Sequence, residues 1–233
     1  MAMRRLNKKV AFIGSAVVVF LLLAVIAVVL RLGQDPEEYI RDGESALEAA
    51  HQATDEQVKE QNYKRAIQSF RTAFGRAKTD SLREEVLFKL ADVHFETKEW
   101  PYILGCWEEI VKINPTNAKA RFGRLKYFYT LADTGASGAW KEVHEQASEF
   151  LKVARDNELL MKDIAELDVS EMEAEAAGRM RLGPYLYLIR GRAALEMAVL
   201  GIVTNKDESL EQAVDDLKKV QESEPNNIDA YWY

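Results

Sequence analysis

The sequence predicts an all-α fold of repeated helical hairpins, preceded by one transmembrane helix. Three observations carry this. Apolar residues recur at helical rather than alternating spacing, most clearly from Glu84 to Asn117. The pattern of that stretch returns three times elsewhere in the chain. Val10–Leu30 holds 21 residues without a charge, enough to cross a bilayer as a helix. Strand signals are poor, because no Asn-Gly or Asp-Gly turn sits between β-branched runs. The GIVTN run at Gly201–Asn205 is too short to change this.

Residues 1–9 form a basic flank with Arg4, Arg5, Lys8 and Lys9, and residues 10–30 form the anchor. A cleaved signal peptide would have an apolar stretch of only about 7–15 residues and a small-x-small site, which is not clear before Arg31. A buried core helix would show a polar face, and this stretch offers only Gly14 and Ser15. The cations before the anchor outnumber Arg31 after it, and Asp35, Glu37 and Glu38 soon follow. The expected topology is therefore a single-pass protein with a cytoplasmic amino terminus and extracytoplasmic hairpins, in the periplasm if the source is bacterial.

The first hairpin spans 35–80. Asp35-Pro36 reads as a helix cap with proline in the first turn. Tyr39–Ala46 around Gly43 is its first helix, Asp55–Asn62 its polar turn, and Ala66, Phe70 and Ala73 mark its second helix. The second hairpin spans 81–117. Ser81-x-x-Glu84 has capping-box spacing. Leu87, Leu90, Ala91 and His94-Phe95 make one face, Glu99-Trp100-Pro101 interrupts it, and Ile103, Trp107 and Ile110 make the next. Asn114-Pro115 ends that helix, since proline cannot continue it. A pair of helices like this cannot bury both faces alone and needs neighbours.

The third hairpin, 118–157, runs through Phe122–Phe128 and then Ala147, Leu151 and Ala154. An acidic helical insert follows at 158–183, ended by Gly183-Pro184. The fourth hairpin, 184–227, holds Tyr187–Ala194 and then Ala213, Leu217, Val220 and Pro225. Residues 228–233 (IDAYWY) read as the start of a further, truncated repeat. Between equivalent positions of its two helices the second hairpin has 12 residues, from Ala91 to Ile103; the others have 23, 22 and 22. The surplus is close to three helical turns and is expected as longer arms with a looser turn.

The 84–117 unit resembles a tetratricopeptide repeat. It carries that family's leucine pair at Leu87 and Leu90, the small Ala91, the turn-side aromatic Trp100 and the closing Pro115. It departs at Ile103 and Ile110, where alanine is usual, and at His94, where tyrosine is usual. The resemblance implies a right-handed solenoid of about four hairpins over 35–227. It also implies a non-enzymatic scaffold for a protein or peptide partner. The alternatives are an envelope-assembly or chaperone-like factor with transient clients, and an enzyme, either through an aspartic-protease-like loop or through a catalytic domain beyond residue 233.

Composition and motifs narrow these classes. Residues 1–31 hold five Lys or Arg and no acid, which leaves 26 cations against 38 acids and a net charge of −12 for the rest. That excludes nucleic acid as an expected partner. Cys106 is the only cysteine, so no intrachain disulfide can form, and beside Trp107 it reads as a buried thiol. Leu131–Ser137, LADTGAS, resembles the active-site signature of retroviral-type aspartic proteases. That chemistry needs two carboxylates on loops braced by strands, whereas helical patterns flank this loop on both sides. Asp133 is expected in an exposed turn.

Asp163, Glu166, Asp168, Glu171, Glu173 and Glu175 lack calcium-loop spacing and read as a solvated face. His51, His94 and His144 fall on separate helices without zinc-ligand spacing. No catalytic residue, metal or cofactor is expected.

In tetratricopeptide-like solenoids the first helix of each hairpin lines the concave surface. Aligned on Gly43, Ala91, Leu125 and Gly191, the residues three earlier are Ile40, Phe88, Phe122 and Leu188. Those four later are Leu47, Phe95, Tyr129 and Leu195, on the same helix face. The residues immediately after the aligned position are Glu44, Asp92, Lys126 and Arg192, acidic then basic. Two readings are open. The rows are core packing, or they are a groove for a partner in which Phe88 and Phe122 are partly exposed.

Overall fold

A computed structural model describes residues 35–158, 160–162 and 181–225. The described elements are eight α-helices: α1 Pro36–Gln52, α2 Glu56–Arg76, α3 Asp80–Glu96, α4 Trp100–Ile113, α5 Ala118–Asp133, α6 Ala139–Arg155, α7 Leu182–Val199 and α8 Lys206–Ser223. The chain is all-α there. The basic flank 1–9, the anchor 10–30, the carboxylates of 163–175 and the end 228–233 lie outside the described residues. No described helix is long and apolar enough to cross a membrane. Two compact units meet in sequence between Lys78 and Thr79.

The first unit contains α1 packed on α2. Asp55 caps α2: its carboxylate accepts from the backbone N–H of Gln57 at 2.8 Å and of Val58 at 3.1 Å. The expected polar turn over Asp55–Asn62 is therefore helix beyond its cap, because nothing from Glu56 onward breaks one. Gly43 lets the helices touch, since a Cβ there would sit 2.5 Å from the Phe70 ring. Ala46, Ala50, Ala66 and Ala73 complete a close-packed seam. The arms are 17 and 21 residues long with only Ala53–Asp55 between them, so the surplus length is helix and not a loose turn.

The second unit packs in chain order, each of α3 to α8 on the next. Thr79 caps α3, its hydroxyl accepting from the N–H of Leu82 at 3.3 Å. The capping box expected at Ser81 is displaced by two residues. Glu84, the expected box partner, accepts instead from the amides of Asn114 at 3.2 Å and Asn117 at 3.0 Å, tying α3 to the α4–α5 connection. Asn117 in turn caps α5 through the N–H of Ala120 at 2.9 Å.

α3, α5 and α7 stop in the same way. In each, an N–H three residues past the last helical one donates to a carbonyl inside the last turn: Glu99 to His94 at 2.9 Å, Ala136 to Leu131 at 3.0 Å and Ile202 to Met197 at 2.9 Å. The residue before each donor has positive φ: Lys98 58°, Gly135 108° and Gly201 69°. This left-handed stop reverses the chain within a few residues. α7 is buried nearly all round, by Leu182, Leu186, Ile189, Ala193, Ala194 and Met197 among others, because α6 and α8 both cover it. Pro184 lies inside its first turn, where a missing N–H costs nothing, so Gly183-Pro184 opens this helix instead of ending the insert.

The core of this unit joins Phe122, Leu125, Trp140, Val143, Phe150, Leu160, Leu182 and Leu186. Each such side chain contributes about 1.5–3 kcal/mol on burial.

Candidate functional site

The two rows proposed from sequence behave differently. In the first unit, Ile40 is buried, Leu47 half-buried and Glu44 exposed. In the second, the earlier row is mostly core: Phe122 is 3% exposed and Leu188 8%, while Phe88 is half-buried. Phe122 is therefore not the partly exposed anchor the groove reading requires. It points from α5 into the space α6 and α7 fill, with the Tyr185 ring at 5.8 Å. The later row reaches solvent. Phe95 is 59% exposed, and Tyr129 and Leu195 are half-buried.

Helix periodicity alone does not explain the split. The two rows lie seven residues apart, only about 20° from the same direction, so what separates them is where along each helix the neighbouring helices pack.

The charged column is partly engaged inside the molecule. Arg192 on α7 donates to Asp133 at 2.7 Å and to the Tyr129 hydroxyl, both on α5. Its guanidinium also lies 5.2 Å from the Tyr129 ring centre and 5.2 Å from that of Trp140. This knot brings together two residues of the aligned rows, Tyr129 and Arg192. It adds Asp133 and Trp140, which the repeat alignment could not pair because they lie on a helix end and on α6.

Lys119 of α5 lies 4.8 Å over the Phe88 ring of α3. Asp92, one turn along α3 from Phe88, is exposed, yet its carboxyl is raised from the ordinary value by desolvation first, with Lys119 opposing. Lys126 is exposed.

The Asp-Thr-Gly residues owe their order to the helix stop. Asp133 closes α5, Thr134 follows with its hydroxyl donating to the carbonyl of Thr130 at 2.8 Å, and Gly135 supplies the positive φ. A helix end flanked by α5 and α6 lacks the strand bracing that the protease chemistry needs. Asp133 is also not an idle surface carboxylate, since Arg192 holds it.

The α3–α4 turn forms a second exposed surface beside Phe95. Trp100 is 47% and Tyr102 54% exposed. The Phe95 and Trp100 rings meet edge-on at 5.5 Å, and Tyr102 stacks on buried His94 at 5.0 Å. His94 Nδ1 lies 2.7 Å from Glu99, which also accepts from the Thr97 hydroxyl at 3.1 Å. The aromatic positions are thus fixed by a hydrogen-bonded turn. Sequence spacing placed Phe95 in a row and Trp100 in a turn, but did not join them. Cys106 is a buried thiol on α4. Among the described residues, no three His, Cys, Asp or Glu side chains gather as metal ligands would.

No protein-family model matches the chain. No curated protein matches it either. Among solved structures it is similar to a thermophilic TPR protein of Thermus thermophilus. The identity is 13%, the likeness covers 82% of this chain and 95% of that one, and the TM-score is 0.31. At that level the likeness carries no weight, and the all-α assignment rests on the helices themselves.

Proposed function

We propose that this chain is a non-enzymatic protein-interaction scaffold of tetratricopeptide-like hairpins, held at a membrane by residues 10–30 on the extracytoplasmic side. The observation that carries the interaction role is the aromatic surface at the α3–α4 turn. Three large aromatic side chains are each about half exposed there, yet are braced by contacts with one another and with buried His94. Exposed aromatic area held in place is the kind of surface that binding uses, because little side-chain freedom is left to lose on association. The half-buried Tyr129 and Leu195 and the exposed Lys126 offer further contact on α5 and α7. The membrane role rests on the uncharged run and its basic flank.

Phe95→Ala with Trp100→Ala tests the reading. Complex formation with a partner identified by cross-linking in membranes should weaken by about 1–4 kcal/mol, as for aromatic anchors, while the unfolding midpoint stays nearly constant. Unchanged binding would reject this surface. A partner that saturates as one sequence supports a scaffold, whereas comparable affinity for many apolar peptides would indicate a chaperone-like factor instead.

A further inference from the structure

We infer that a cationic cleft between α6, α7 and α8 is a second binding site, which takes an acidic peptide segment of a partner. The cleft holds about 570 Å³, within the usual range of ligand sites. Lys152 and Arg155 of α6, Arg181 at the start of α7, Arg190 of α7 and Lys219 of α8 line it, against the single carboxylate of Glu224. Five cations from three helices converge in this way on a chain whose formal charge is −7. Glu224 in the lining, Asp216 beneath Arg190 and Lys219, and Asp156 beside Arg155 offset part of this charge and leave a positive excess. That excess makes a local positive potential on an acidic molecule.

The cations differ in availability. Arg190 is committed to Asp216 by two hydrogen bonds of 2.7 Å, and Lys219 lies 3.5 Å from the same carboxylate. One buried negative charge thus serves two cations. Arg155 lies 3.7 Å from its exposed neighbour Asp156. Lys152 and Arg181 are exposed and have no carboxylate partner among the described residues.

The spread of charge favours a peptide over a compact anion. A single phosphate needs donors aimed at one point, whereas here the two most available cations stand on α6 and at the start of α7. Between the cations, the lining is apolar at Leu151, Met161 and Pro184, and Arg190 and Lys219 lie 5.5 and 4.9 Å from the Tyr187 ring centre. Glutamate or aspartate alternating with apolar residues matches such a surface on both counts. This site is separate from the α3–α4 aromatic surface, so either can fail alone.

The test is fluorescence anisotropy on the full chain in detergent, with a short labelled peptide of alternating Glu and Leu as probe. Binding should weaken about tenfold or more in the double variant Lys152→Glu, Arg181→Glu, and should fall as salt rises through physiological strength. The peptide with Gln in place of Glu should bind far more weakly. Both substitutions are at exposed positions, and an unchanged circular dichroism melt would show that the fold is kept. Absence of binding, or equal binding by the double variant, overturns the proposal. Displacement by inorganic phosphate at lower concentration than by unlabelled peptide overturns it in favour of a compact anion. Binding that appears only after the carboxylates of 163–175 are changed to amides overturns it in favour of an occupant within the chain.

Discussion

Asp216 is the most consequential single charge in the second unit. It is 1% exposed, holds Arg190 by two bonds and has Lys219 nearby. Asp216→Ala should destabilise the protein by roughly 3–5 kcal/mol, because it leaves a guanidinium largely buried without its carboxylate. The lower end is expected, since the Arg190 side chain keeps 15% of its exposure and can turn toward the cleft. Urea unfolding would measure this, and a loss below about 1 kcal/mol would mean the pair behaves as a surface pair.

His144 adds a pH dependence. Burial holds it below the usual imidazole range; Arg190 adds to that, while the bond to Gln212 at 3.2 Å, Asp216 and Glu145 oppose it. The unfolded chain therefore binds its proton more readily than the folded one. Stability from this group is intact above the unfolded value of about 6.5, and is lost as pH falls from there to the folded value. His144→Gln should flatten that slope in urea titrations on either side of the window. An identical slope in the variant would assign it to other groups. Neither effect was legible in the sequence, where Asp216 is one of many acids on an amphipathic helix and His144 lacks any motif.

At the scale of elements, the recurring helix stop is what makes the hairpins of the second unit alike. Two of its three left-handed positions are glycine, which adopts positive φ without a Cβ clash. The third is Lys98, whose side chain is strained at φ 58°. Lys98→Gly should raise stability by about 1 kcal/mol, seen as a higher urea midpoint. A lower midpoint would show that the lost side chain outweighs the relieved strain.

The hairpins also explain which spacing rules succeeded. Helix ends at Pro36 and Asn114 follow from proline and caps adjacent in sequence. Ser81 was a plausible cap, but Thr79 is the one that reaches an unpaired N–H. Capping boxes are short patterns, and two nearby hydroxyls can compete for one helix end. Gly123 was missed for another reason. A Cβ there would lie 2.5 Å from Trp107 of the preceding helix, a contact between hairpins that the alignment within each hairpin could not see.

For the whole molecule, the anchor is the prediction with the widest reach. Carbonate-washed membranes should retain the chain, and protease added to intact spheroplasts should digest the hairpins, as the 21-residue uncharged run and its basic flank require. A product trimmed near Arg31 and released, or a domain protected from protease, would reject that topology.

Periodicity and breakers in the sequence suffice for the all-α class of the described residues and for the position of the Asp-Thr-Gly loop between two helices. Both signals are local and survive without knowledge of neighbours. Which apolar row is core and which is surface depends on how the helices pack. Phe122 and Tyr129 stand on one helix with the same spacing signal, and what separates them is the direction from which α6 and α7 arrive. The Arg192–Asp133 and Arg190–Asp216 pairs, and the cationic cleft, were likewise decided by packing. Their partners lie 26 to 59 residues apart in the chain, and such charges acquire a partner only when folding sets the helices side by side.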